Sequence, residues 1–296
     1  MGRILVVGSY NQDTVLRVPR FPKPGETLAA TALEHFHGGK GSNQAVAAAR
    51  SGAEVTLAAC IGRDAAGDAA LALWAGEGID ATAVRREAGA PTGTALILLD
   101  AAGENEIVIL AGANARLAPE DARPAAAGAA LVVAQLETPV EATIAAFLAA
   151  RAAGGRTLLN AAPAGDLPAA LLAATDILVV NETEAERLAG KGGAPSELAA
   201  ALAPRFGSGV VLTAGAAGAF WAGRDGGALH LPAPPTQVAD STGAGDAFVG
   251  AMAAALAEGL PMEGALRRGV IAGSLACRSL GAVPSLPRRA EILAAQ

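Results

Sequence analysis

Residues 131–160 read L-V-V-A-Q-L-E-T-P-V-E-A-T-I-A-A-F-L-A-A-R-A-A-G-G-R-T-L-L-N. A mostly apolar run, Leu131–Leu136, is followed by a helical segment over Val140–Ala153 and a second apolar run at Thr157–Asn160. Strand, helix, strand is the unit of an α/β fold, with a parallel sheet and helices on both faces. The same rhythm extends in both directions. Arg3–Val7 is a β-branched run that ends at Gly8, and Val55–Ile61 reads as another buried strand. Between them Ser42–Arg50 predicts a helix, with Ser42 as the capping-type residue and Ser51-Gly52 as the stop. Toward the C-terminus, strands are expected at Ile177–Val180 and Val210–Thr213, with a helix over Glu182–Ala189.

Two segments break the alternation. Asn11–His37 carries Pro19, Pro22 and Pro24 among short alternating pieces, and Thr92–Leu110 reads as two apolar runs joined by a Gly-containing turn. Together they predict a small antiparallel β lid, built from about 11–38 and 92–111, on one α/β domain spanning 1–296.

Composition narrows the function. The chain of 296 residues is 52% hydrophobic and 17% charged, which excludes a disordered segment. Mean hydropathy of +0.39 reflects alanine, and the apolar stretches are cut by charge, Gly or Pro before they reach membrane-spanning length. The run at 3–8 is too short for a signal peptide, so a cytoplasmic protein is expected. A net charge of −6 without a basic cluster points away from nucleic acid. Cys60 and Cys277 each sit in an apolar pattern and read as inert core thiols. His35 and His37 share a strand face but lack a third ligand, His230 stands alone, and Trp74 and Trp221 read as packing residues.

Three stretches could carry chemistry. At 240–250 the chain reads D-S-T-G-A-G-D-A-F-V-G. Gly243, Ala244 and Gly245 can place consecutive N–H groups around an anion just before a helix that begins with Asp246. One reading of a carboxylate there is a favourable charge for the helix dipole and nothing more. Beside an anion it also suits phosphoryl transfer: the amides neutralise charge on the moving group and the ionised carboxylate accepts a hydroxyl proton. Gly38-Gly39-Lys40-Gly41-Ser42-Asn43 is either a plain loop-to-helix junction or a close backbone approach to a ligand. It is neither a Walker A loop nor a dinucleotide fingerprint, since the glycine spacing fails both. Asn181 and Glu184, at a strand's C-terminal end, either organise Mg2+ waters and phosphate or cap the next helix. Asn11, Asp13 and Glu137 occupy the same kind of position, so polar residues at several strand ends converge on one crevice.

With these residues in place, the chain resembles the ribokinase-like (pfkB) family of carbohydrate kinases. The resemblance runs from G-S-Y-N-Q-D at 8–13 to G-A-V-P-S-L-P at 281–287 and includes both family signatures, at 38–45 and 240–250. F-P-K-P-G-E-T at 21–27, A-G-A-N-A at 111–115 and Q-L-E-T-P at 135–139 lean toward the ribose-phosphorylating branch. The resemblance implies ATP-dependent transfer of a γ-phosphoryl group to a sugar, D-ribose giving D-ribose 5-phosphate, with Mg2+ and with Asp246 as base. It implies a sugar held by Asn11, Asp13, Gly39, Lys40, Gly41, Asn43, Glu137 and Asp246. ATP would lie along Asn181, Thr213, Ala214, Gly215, Ala216, Ala217, Gly218 and Gly245. An activating monovalent cation, K+, would sit at Asp240, Thr242, Ala276, Ser279, Gly281 and Ser285, and the lid would pair two subunits as a homodimer. Val270 stands where the family commonly has an adenine-contacting histidine; Tyr10, Gln12 and Val283 also depart from the usual pattern. The readings that compete are kinases of a nucleoside, fructose or a keto-deoxy sugar, and a non-catalytic sugar-binding regulator.

Overall fold

The computed structural model describes residues 2–296. Its strands are β1 (Ile4–Val7), β2 (Asn11–Arg17), β3 (Ala32–Gly38), β4 (Val55–Gly62), β5 (Asp80–Glu87), β6 (Gly93–Leu99), β7 (Asn105–Leu110), β8 (Leu131–Ala134), β9 (Arg156–Asn160), β10 (Ile177–Asn181), β11 (Gly209–Thr213), β12 (Ala219–Gly223) and β13 (Ala228–Leu231). Nine of these form one sheet in the order β13-β12-β11-β10-β9-β8-β1-β4-β5. From β11 to β5 every neighbour is parallel, and β12 and β13 add an antiparallel edge.

The twofold period of a strand explains why both faces need helices. Ile4 and Val6 of β1 bury into one core with Val46, Leu57, Phe248 and Met252. Leu5 and Val7, pointing the other way, join Val132, Phe147 and Leu159 in a second core. A sheet buried on both faces reads as continuous apolar runs, which is how the alternation became legible. No helix among the described residues is long and apolar enough to cross a membrane.

β1 lies between β4 and β8, so the strand order reverses beside it. Crevices outside the carboxyl ends of strands at such a reversal are where open α/β sheets bind ligands. Two helices, Lys40–Arg50 and Ala244–Ala257, start at this crevice and pack tightly together. Gly250 allows their approach: a methyl there would lie 2.7 Å from the Ala48 nitrogen and 2.8 Å from the Gln44 carbonyl.

The remaining strands form a separate sheet in the order β3-β2-β6-β7. Its outer pairs are antiparallel, but the central β2·β6 pair is parallel, from Asn11 opposite Gly93 to Arg17 opposite Leu99. The expected all-antiparallel lid is therefore corrected to a mixed one. The two hairpins come from separate parts of the chain, and β2 and β6 run side by side in the same direction. Leu33, Phe36, Leu96, Ile107, Val108, Ile109 and Leu110 of this sheet are exposed.

Candidate active site

Gly243 caps the helix Ala244–Ala257 in a left-handed conformation, φ 78°, and its missing side chain lets Ala282 pack against it, with a Cβ there only 3.0 Å from the Ala282 Cα. The helix starts two residues earlier than the sequence implied, so Asp246 lies in its first turn and is buried. First-turn amides have no partner within a helix. Those of Gly243, Gly245 and Asp246 meet no acceptor among the described residues, whereas Ala244 donates to the Ser241 carbonyl at 3.2 Å. The anion hole expected from 243–246 thus has three open donors, and the fourth closes a turn.

Opposite it, the helix expected from Ser42 begins at Lys40, with Gly39 as the capping residue at φ 87°. Tertiary packing decides this start: a side chain at Gly39 would press within 2.7 Å of the Asn11 nitrogen and the Tyr10 Cα. Ser42 does not cap; its hydroxyl accepts the Trp74 indole N–H at 2.9 Å. The Lys40 amide donates instead to Glu137 Oε2 at 2.9 Å, and the Ser9 hydroxyl reaches the same oxygen at 2.5 Å. One turn on, Asn43 Nδ2 donates to Asp246 Oδ2 and Gln44 Nε2 to Asp246 Oδ1, each at 2.9 Å. Burial pushes the Asp246 carboxyl up, while the Lys40 charge and these two amides oppose the rise and Glu137 adds to it.

The residues expected to hold a sugar gather where β1 and β8 end. Asn11 is buried and accepts from Asn114 Nδ2 at 2.9 Å; the same nitrogen donates to the Tyr10 carbonyl, and the Tyr10 amide returns a bond to Asn114 Oδ1 at 3.0 Å. Asn11, Asn114 and Glu137 line a hollow of about 350 Å³ that also meets Ile109 of the lid. Asp13, on the lid strand β2, covers Gly38, where a Cβ would overlap its carboxylate. Burial, and then the charge of Glu137, raise the Asp13 carboxyl to about 7. Gly41 packs directly on Gly8 and Ser9, so its lack of a side chain is what lets the Lys40 helix approach β1.

A second hollow of about 210 Å³ joins Lys40, Asp246, Gly243 and Gly245 to Asn160, Asn181, Glu184 and Thr213. Asn181 and Glu184 form a reciprocal cap on the helix Glu182–Ala189: Asn181 Oδ1 accepts from the Glu184 amide at 2.8 Å and Glu184 Oε2 from the Asn181 amide at 2.9 Å. Capping thus occupies one oxygen of each and leaves Asn181 Nδ2 and Glu184 Oε1 free to face the crevice. Burial raises the Glu184 carboxyl, against the Asn181 amide and the Lys40 charge.

Beyond Gly245 the crevice continues into an apolar slot of about 180 Å³ lined by Thr213, Gly215, Gly218, Phe248, Val270 and Cys277 among others. The chain from Thr213 to Gly218 folds as a short 3-10 turn over Gly215–Ala217, with Ala214 donating to the Gly218 carbonyl at 2.8 Å and Ala216 inside the turn. A methyl at Gly245 would meet no protein atom within 4 Å. Gly245 borders both hollows, as Thr213 and Phe248 do. Cys277 lines this slot and is only half-buried, so the core-thiol reading holds for Cys60 alone.

Behind the anion hole, Asp240 Oδ1 accepts from the Thr242 amide at 2.9 Å and hydroxyl at 2.7 Å, and Oδ2 from the Gly281 amide at 2.8 Å. Burial opposes ionisation of Asp240, but these donors outweigh it and hold the carboxyl below its ordinary value. Ser285 is buried and donates to the Ala282 carbonyl at 2.8 Å; Ala276 is buried, and Ser279 lies exposed at the following helix end. No group of three His, Cys, Asp or Glu side chains among the described residues could hold a metal ion. His35 and His37 instead contact Thr14 and Tyr10.

Ser9, Gln44, Asn114, Gln135 and Asn160 also build the site and were not singled out in the sequence. Their signal was present for three of them: Ser9, Gln135 and Asn160 are polar residues at or just past the ends of buried strands.

The raised Asp13 carboxyl has a thermodynamic consequence. Between the ordinary carboxylate range and about pH 7 the folded protein keeps a proton that the unfolded chain has lost, so stability falls as pH rises through about 7. Asp13→Asn removes that proton exchange. Melting temperatures at pH 5 and pH 8 should show a smaller loss toward pH 8 in the variant than in the wild type; equal losses would contradict the burial of an ionisable Asp13.

A family model described as pfkB family carbohydrate kinase matches residues 1–289. The chain is 40% identical over 302 residues to the bifunctional ribokinase/ribose-5-phosphate isomerase A of Fructilactobacillus sanfranciscensis, covering 99% of its own length and 56% of that longer protein. It is 39% identical over 297 residues to the ribokinase of Haemophilus influenzae, covering 98% of this chain and 97% of that one. The solved structure of Arabidopsis thaliana ribokinase complexed with ribose and ATP matches with a TM-score of 0.94 at 33% identity, over 99% of this chain and 98% of that one. With a whole-length family match and the crevice these signatures build, the chain belongs to the pfkB family of carbohydrate kinases.

Proposed function

We propose that the crevice transfers the γ-phosphoryl group of ATP to the 5-hydroxyl of D-ribose, giving D-ribose 5-phosphate and ADP. The observation that carries this reading is a buried carboxylate, Asp246, beside the open helix-start amides of Gly243, Gly245 and its own residue. The sugar hydroxyl gives its proton to Asp246 as its oxygen attacks the γ-phosphorus, and the bond from that phosphorus to the ADP oxygen breaks. The amides face the charge carried by the moving group. Asn43 and Gln44 hold both carboxylate oxygens in place before the hydroxyl arrives.

The hydrogen-bonding groups suit a polyol. Asp13 and Glu137 accept hydroxyl hydrogens, while Asn11 and Asn43 offer amides and Gly39 and Gly41 bring backbone close. Asn43 Oδ1 is buried and has no hydrogen-bond partner among the described residues. No aromatic side chain lines the hollow at Asn11 and Glu137, which disfavours a nucleoside base there. On the other side, Thr213, the turn from Ala214 to Gly218, and Val270 border an apolar slot that fits a purine ring. Glu184 Oε1 would accept from the waters of Mg2+, Asn181 Nδ2 would donate to a phosphate oxygen, and the ion when bound neutralises phosphate charge. The all-oxygen set around Asp240, Thr242, Ala276, Ser279, Gly281 and Ser285 has the donor chemistry of a K+ site. We place the enzyme in the cytoplasm, and as a homodimer whose lids cover each other's exposed Ile107–Leu110 strand.

One ADP-release assay tests the chemistry. Asp246→Asn should lower kcat by roughly 10²–10⁴-fold while ribose still binds, as expected for loss of a general base. Wild-type turnover in that variant removes Asp246 from the mechanism. In the same assay, exchanging K+ for tetramethylammonium should depress activity, and an unchanged rate refutes the cation site. For assembly, light scattering should give twice the 29.0 kDa chain mass, falling to one chain in Val108→Glu. A monomeric wild type would sink the lid pairing.

A further inference from the structure

Gln44 is held from both ends of its amide. Its Nε2 donates to Asp246 Oδ1 and to Asn160 Oδ1, both at 2.9 Å, and its Oε1 accepts from Gln135 Nε2 at 2.6 Å. Asn160 is itself oriented, because its Nδ2 donates to the Val179 carbonyl at 3.2 Å. Every member of this chain is buried: Gln44, Gln135, Asn160 and Asp246. A turned-over Gln44 amide would point its oxygen at two acceptors, Asp246 Oδ1 and Asn160 Oδ1. The Gln135 donor adds a bond that only the observed orientation can make.

Gln135 carries a cost for this contact. Its Oε1 is buried with no hydrogen-bond partner, whereas buried polar atoms are nearly always satisfied. The same oxygen lies where a Cβ on Gly8 would stand, so the end of β1 has no side chain to offer there. An amide kept in such a place is explained by what its other end does. It contacts neither the hollow beside Asn11 nor the nucleotide slot.

We propose that Gln135 and Gln44 form an amide relay that fixes the plane of the Asp246 carboxylate, and that both are positioning residues for the phosphoryl transfer. The inference rests on Asp246 acting as the base. With Asn43 on Oδ2 and Gln44 on Oδ1, the carboxylate cannot turn about its Cβ–Cγ bond without breaking a charge-assisted hydrogen bond. The relay starts two residues before Glu137, so one short piece of chain after β8 supplies both a sugar-side carboxylate and the orientation of the base.

The test is the pH profile of kcat in Gln44→Met and Gln135→Met, volume-conserving changes that remove the donors. Lys40 and Glu137 are the charged groups that act on Asp246, with Glu184 across the same hollow, and neither substitution alters them. Loss of a donor to a carboxylate favours its protonated form, so the acid limb should move to higher pH. A shift of about one pH unit is expected for Gln44→Met, from the strength of a hydrogen bond to a charged group. A smaller shift in the same direction is expected for Gln135→Met, with the KM for ribose unchanged in both. A purely structural role would lower kcat or melting temperature at every pH and leave the limb where it is, and that result overturns the relay. If Gln44→Met does not fold, Gln135→Met decides alone. The two readings fail separately: an active Asp246→Asn removes the base, whereas an inactive Asp246→Asn together with unmoved limbs in Gln44→Met and Gln135→Met removes only the relay.

Discussion

A carboxylate buried where two helices begin is held there by amides, and the rest of the site is arranged around that constraint. Asp246 is cut off from water, which favours its neutral form, yet both of its oxygens accept from side chains on the facing helix. Those donors sit at the start of Lys40–Arg50, so the helix must begin where it does and must lie close to Ala244–Ala257. Gly39, Gly41 and Gly250 are the backbone conditions for that closeness, since a side chain at any of them would strike neighbouring backbone. Breaking a buried, hydrogen-bonded charge by removing one partner is among the more costly changes a core can suffer.

The same geometry divides charge sensibly along the crevice. Carboxylates cluster at the end proposed for the sugar, at Asp13 and Glu137, and burial, with the charge of Glu137 after it, raises the carboxyl of Asp13. Open amides face the centre, at Gly243, Gly245 and Asp246. Apolar surface closes the far end, around Phe248 and Val270. Lys40 reaches the middle hollow, where it offsets the burial of Asp246 and Glu184 together.

How far the sequence foretold this depends on the range of the interaction. The parallel sheet was legible because strands buried on both faces are continuous apolar runs, and Asp246 because glycine before a helix start is a local signal. The start at Lys40 was not, since Ser42 has the right chemistry for a cap and only the approach of Tyr10 and Asn11 to Gly39 overrules it. The parallel β2·β6 pair joins two distant segments whose alternation fits either direction of pairing. Asn181 and Glu184 presented two local readings, and the cap was realised while leaving atoms free for the other. Gln44, Gln135 and Asn160 meet only in the folded chain, and nothing in their spacing announces a relay.

In the proposed reaction one sugar hydroxyl is delivered to Asp246 in line with the phosphoryl group held at the helix start. A crystal structure of the chain with D-ribose and a non-hydrolysable ATP analogue tests it most directly. The ribose 5-hydroxyl should lie within hydrogen-bond distance of an Asp246 carboxylate oxygen, about 2.6–3.2 Å, with the γ-phosphate facing the amides of Gly243 and Gly245. A sugar bound with that hydroxyl turned away from Asp246, or a nucleotide seated outside the Thr213–Gly218 turn, would contradict it.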